Sequence, residues 1–278
     1  ITLAAISIRA FEGLLTRKAI PAEALEQVIG LVSLVSAQVD KLSLMARLVT
    51  ACYRADDQGL ASAIAEEHII PHLHKLPSDD PYANVASTIT ILPALYVTHN
   101  AVATDLLESL PLLARGQAVE DISSFLFYRA SPGEPISWRS PEFIRLDYST
   151  ALQIVSVLSH STSDEQMARY ARLICLSATK LRGGPIITAE QRHTLAERIE
   201  VLAEQKVPSP GGIQHEGYSV FIAGMAAGLR VAGGHVWDSL ASRARSIPNV
   251  SDRAYVLASL AEVMPNRLSA LRKELLKE

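Results

Sequence analysis

The chain has 278 residues, 49% hydrophobic and 20% charged, with a net charge of −3 from 26 basic and 29 acidic side chains. This balance supplies a core and excludes intrinsic disorder, and no basic run marks a nucleic-acid footprint. Aromatic residues are only 5%, so the apolar content is mostly Ala, Leu, Ile and Val, which suits close helix–helix packing better than a β-sandwich.

In chain order, apolar residues recur at helical spacing almost throughout. Leu25, Val28, Ile29 and Val32 form one stripe, and Leu42, Met45, Leu48, Val49 and Cys52 the next. Asp56-Asp57 and Asp79-Asp80 sit where helices begin or turn, as caps do. Ser131 to Asp147, with Pro132, Gly133, Pro135 and Pro141, is the longest irregular stretch. It separates helical hairpins over 1–130 from helical repeats over 148–278, with 131–147 as connecting loop; one continuous array fits the same pattern. Ser163 with Gln166, and Thr188 with Gln191, match the capping box, in which hydroxyl and amide satisfy each other's orphan backbone N–H. Val207 to Gln214 is a second Pro/Gly break. The apolar run Ser219 to Leu229 is too long and too rich in Ala and Gly for a strand, and predicts a buried helix. Ile199 and Leu257 are predicted core positions. The fold expected is therefore all-α, built from helix–turn–helix hairpins.

Two segments align internally. SDDPYANVASTITILP (78–93) and VSDRAYVLASLAEVMP (250–265) share Asp80/Asp252, Ala86/Ala258, Ser87/Ser259 and Pro93/Pro265. The physical sense of such a unit is that Asp or Ser caps a helix, small residues face a neighbour, and the second proline ends it. The segment 242–276, SRARSIPNVSDRAYVLASLAEVMPNRLSALRKELL, is similar to the degenerate TPR- and HEAT-like helical repeats of bacterial multidomain proteins. That resemblance implies a right-handed α-solenoid with a superhelical binding surface. It further implies the sensor region of a signal-transducing STAND-type NTPase, a class that includes antiphage and antiviral defence proteins. No Gly-rich loop ending in Gly-Lys-Ser/Thr is present, so nucleotide binding by this chain is not implied.

Candidate binding residues are Trp138 and Arg139 in the long loop, and His215, Glu216 and Tyr218 after the second break. Trp and Arg are enriched in binding hot spots; the competing reading is that Trp138 folds back to anchor the loop. His215, Glu216 and Tyr218 fit a recognition loop or a helix start. Glu66 to His74 is the densest cluster of ligand types. His68 and His72 have the i, i+4 spacing of zinc sites, with His74 beside them, but the HExxH signature is missing and Pro71 would bend the helix between them. A metal-dependent hydrolase on this cluster is thus the alternative to a non-enzymatic recognition module, and an oligomerising arm is a third reading. Gly-x-Ser-x-Gly is absent, and no catalytic residue, cofactor or resident metal is assigned.

The remaining features concern context. Cys52 and Cys175 lie far apart within apolar helical patterns, which predicts reduced core thiols and a cytoplasmic setting. No apolar run reaches the roughly 18–20 residues of a membrane span. The chain opens at Ile1 without an initiator Met and closes at Lys277-Glu278 inside the Leu268, Leu271, Leu275 pattern. Both ends read as cuts through a longer chain, whose ligand is expected to be a protein or peptide.

Overall fold

The structure is a computed structural model that describes residues 2–15, 22–75, 81–130, 146–179, 187–205 and 213–277. Among these the architecture is entirely helical, with fourteen α-helices and no strands. By its contacts the chain divides into two compact units, residues 1–122 and 123–278.

The first unit contains α1 (Thr2–Leu15), α2 (Ala22–Ser33), α3 (Gln38–Arg54), α4 (Gln58–His68), α5 (Pro81–Thr98), α6 (Asn100–Ser109) and the start of α7 (Leu112–Ala130). The stripe predicted on α3 is its core: Leu42, Met45, Leu48, Val49 and Cys52 are all fully buried. Leu25, Val28 and Val32 of α2 are buried likewise, and Ile29 is half-buried. Helix α3 packs against α1, α2, α4 and α5. Asp57 caps α4 by accepting from the Leu60 amide at 3.0 Å. One sequence expectation fails here. Pro93 does not end a unit but lies inside α5, which runs on to Thr98. Proline removes one helical hydrogen bond at about 3 kcal/mol, and the flanking Ile91, Leu92, Ala94 and Leu95, all buried, offset it.

The second unit contains the end of α7, then α8 (Tyr148–Leu158), α9 (Asp164–Thr179), α10 (Ala189–Glu204), α11 (His215–Arg230), α12 (Gly234–Arg245), α13 (Val250–Val263) and α14 (Ser269–Leu275). The predicted buried helix is α11, which packs against α9, α10, α12 and α13. Side-chain pairings fix the direction of three of these helices. At one end, His215 opens α11 and meets Asp164, which opens α9. At the other, a Cβ on Gly228 would lie 3.4 Å from Cys175 Sγ of α9 and 3.1 Å from the Val263 carbonyl of α13. Helices α9, α11 and α13 therefore run parallel, side by side. Gly224 faces Leu260 of α13 so closely that any Cβ there would overlap it. Ile199 and Leu257 are core, as expected.

The capping box of α10 forms in full: Gln191 N donates to Thr188 Oγ1 at 3.2 Å, and Thr188 N to Gln191 Oε1 at 2.9 Å. That of α9 forms only by half. Gln166 N reaches Ser163 Oγ at 3.3 Å, but the Gln166 side chain accepts from Ser161 instead, whose hydroxyl also takes the Ser163 amide. In α13 the cap is Asn249, accepting from Asp252 N at 3.1 Å, rather than the Asp or Ser of the aligned unit. Helix α11 ends in a Schellman turn: Ala232 N bonds Ala227 O and Val231 N bonds Gly228 O. Val231 holds the left-handed conformation there, at φ 53° and ψ 48°. Arg267 clamps the turn by donating to the Val231 and Ala232 carbonyls at 2.7 and 2.9 Å.

Two outcomes follow for urea unfolding. Val231→Gly relieves the left-handed strain of a β-branched residue, and unfolding stability should rise by about 1 kcal/mol; an unchanged or lower midpoint would show that the turn is not strained. Gly224→Val overpacks the α11–α13 contact and should cost about 2–3 kcal/mol; a neutral result would mean that the two helices separate easily.

Candidate functional site

Because α9 and α13 flank α11 in parallel, their facing edges rise as walls along it. Between them lies a cleft of about 470 Å³. Glu165, Ala168, Arg169 and Arg172 line it from α9, Ile213 and Tyr218 from α11 and the residues before it, and Asn249, Asp252 and Tyr255 from α13 and its cap. Three turns of local structure place these groups. Glu165, Arg169 and Arg172 fall at i, i+4 and i+7 of one helix face, and Asp252 and Tyr255 at i and i+3 of another.

The rims are tied at both ends. At the N-terminal end His215 Nδ1 lies 2.7 Å from Asp164 Oδ2. Asp164 is only 1% exposed, and its other oxygen, Oδ1, is buried without a hydrogen-bond partner among the described residues. At the C-terminal end Arg172 donates from Nε and Nη2 to Glu262 Oε2 at 2.9 and 2.8 Å, joining α9 to α13. Tyr255, 47% exposed, packs edge-on against the buried Phe221 with ring centres 5.7 Å apart. Phe221 thus braces the ring, while Tyr255 as a whole stays partly exposed along the cleft. Tyr218 is buried, and its hydroxyl is pushed up to about 12. Burial is the largest cause, followed by the Glu165 charge and then the Tyr255 and Asp164 oxygens; a hydrogen bond from the Ile213 backbone opposes them.

The sequence candidates fare unevenly. Trp138 and Arg139 lie outside the described residues. Tyr218 lines the cleft, from its buried floor and not from a loop. His215 is half-buried, engaged by Asp164, and does not line the cleft. Glu216 is exposed on the first turn of α11. The sequence reading misses Arg169, Arg172, Asp252 and Tyr255. Each sits on a polar helix face with nothing to set it apart from ordinary solvated surface.

Histidine cluster 68–74 does not assemble along one helix. Helix α4 ends at His68, which lies 3.7 Å from Glu67, and His72 belongs to a separate 3-10 turn, Ile70–Lys75, that contains Pro71. The His74 side chain is outside the described residues. Among the described residues no three His, Cys, Asp or Glu side chains converge as metal ligands. Cys52 and Cys175 are buried free thiols, and burial pushes Cys52 up to about 12, with Asp57 adding to the shift. No described helix is long and apolar enough to cross a membrane. No family model, curated protein or solved structure matches the chain.

An imidazole on a buried carboxylate stabilises through the charge it satisfies. His215→Ala leaves Asp164 without its hydrogen bond and should cost about 1–3 kcal/mol, toward the lower end because His215 is partly exposed. Asp164→Asn in the same background should recover part of that loss in urea unfolding. No recovery would place the role of His215 in packing.

Proposed function

We propose that the chain is a recognition module that binds a segment of a protein partner in the α9–α11–α13 cleft. The observation that carries this reading is the cleft wall itself: arginine and tyrosine side chains, the residue types that dominate binding hot spots, set on three parallel helices rather than on mobile loops. Rigid presentation reduces the ordering cost of association. The spacing of elements supports a TPR/HEAT-like α-solenoid. Contacts between helices two apart recur: α1–α3–α5 in the first unit, and α8–α10 and α9–α11–α13 in the second. In such arrays a repeat buries its core only against its neighbours and leaves one layer free to bind. The repeat-like segment 242–276 holds α13, which supplies Asp252 and Tyr255 to the cleft. By that resemblance the module is the sensor or interaction part of a larger bacterial signalling or defence protein. Two buried free thiols fit a reducing, cytoplasmic setting.

Panning the protein against a random heptapeptide library tests the reading. Enriched peptides should bind Tyr255→Ala at least about tenfold more weakly, a loss of one desolvated aromatic contact. A library that yields no binder, or binders indifferent to Tyr255, Arg169 and Asp252, would overturn it.

A further inference from the structure

The charge arrangement inside the cleft narrows the partner, on the reading that the cleft is a peptide site. Arg172 lies at the C-terminal end, where both of its donors go to Glu262, so its charge is met within the protein. The lining also holds two carboxylates, Glu165 and Asp252, and a second guanidinium, Arg169, which lies 5.0 Å from the Tyr170 ring centre. Among the described residues neither Glu165 nor Asp252 is in an ion pair. Both stand in the first turn of their helices, α9 and α13. Because those helices are parallel, the two carboxylates gather at the same end of the cleft, opposite the Arg172–Glu262 tie.

Helix dipoles account for acidic residues at such positions, but they do not account for the rest of that end. An aromatic residue, Tyr255, lines the cavity, is braced edge-on by Phe221 and stays partly exposed. The buried Tyr218 contributes a second aromatic side chain to the same lining. Behind it, Asp164 is buried with one oxygen unpartnered among the described residues. A cavity, a partly exposed aromatic ring and carboxylates of one sign form the combination that recognises an organic cation: the ring quadrupole attracts the cation, and the carboxylates take its N–H groups.

We propose that the N-terminal end of the cleft receives one cationic side chain of the partner peptide, arginine or lysine, seated against the Tyr255 ring and the carboxylates of Glu165 and Asp252.

The test uses N-acetyl-arginine amide, N-acetyl-lysine amide, N-acetyl-norleucine amide and N-acetyl-glutamate amide, titrated into protein carrying ring-13C tyrosine. The two cationic amides should shift the Tyr255 and Tyr218 resonances in a saturable way, and the other two should not. Glu165→Gln with Asp252→Asn, both at solvent-accessible polar positions, should weaken the cationic amides by about tenfold or more. Equal shifts from norleucine amide, or cationic shifts unchanged in the double variant, would overturn the proposal. If the heptapeptide library yields binders lost on Tyr255→Ala and none carries a fixed basic residue, the cation site fails while the peptide-binding function stands. If the cationic amides bind and no peptide does, the cation site stands and the peptide reading fails.

Discussion

The close approach of α13 and α9 to α11 is the constraint on which the rest of the second unit depends. Gly224 admits the buried Leu260, and Gly228 admits the Val263 carbonyl and Cys175. Glycine in a helix interior costs about 1 kcal/mol relative to alanine. Helix α11 carries that cost at Gly217, Gly224 and Gly228, and offsets it by burial. Val220, Phe221, Ile222, Met225 and Leu229 are all 1% exposed or less, at roughly 1.5–3 kcal/mol for each large apolar side chain. The cleft is a consequence of this geometry. Two helices brought against one floor helix must leave a trough between their outer edges.

Helix ends then set what faces the trough. Asn249 fixes the start of α13, and with it the phase that places Asp252 and Tyr255 on the cleft side. Ser161, Ser163 and Gln166 fix the start of α9 in the same way for Glu165 and Arg169. At the far end of α11, the Schellman turn and its Arg267 clamp stop the helix at Arg230. A shift of one residue at any of these caps would rotate the following side chains by about 100° and disperse the lining.

Ion pairs tie this frame without filling it. Asp164–His215 at one end and Arg172–Glu262 at the other each join helices within the unit. The part-exposed Arg172–Glu262 pair contributes modestly to stability, because water competes for both partners, whereas Asp164 is buried and depends on His215. The larger effect of these pairs is on the field inside the cleft. Arg172 is satisfied by Glu262, so the carboxylates of Glu165 and Asp252 stand out at the opposite end.

Sequence periodicity determined the helical class, the buried stripes of α2 and α3, the buried helix at 219–229 and the core positions Ile199 and Leu257, because burial on one face of a helix imprints a 3.6-residue repeat directly on the chain. It also determined the Thr188–Gln191 box, whose partners are three residues apart. The internal alignment misled at Pro93, since a proline's effect depends on whether surrounding burial can offset one lost hydrogen bond, and burial is not a local property. The cleft was not legible beyond Tyr218. Glu165, Arg169, Asp252 and Tyr255 lie up to ninety residues apart on faces that read as ordinary solvated surface. Only the parallel packing of α9, α11 and α13 decided that these faces meet across α11, and that His215, chosen for its loop, is engaged by a buried aspartate.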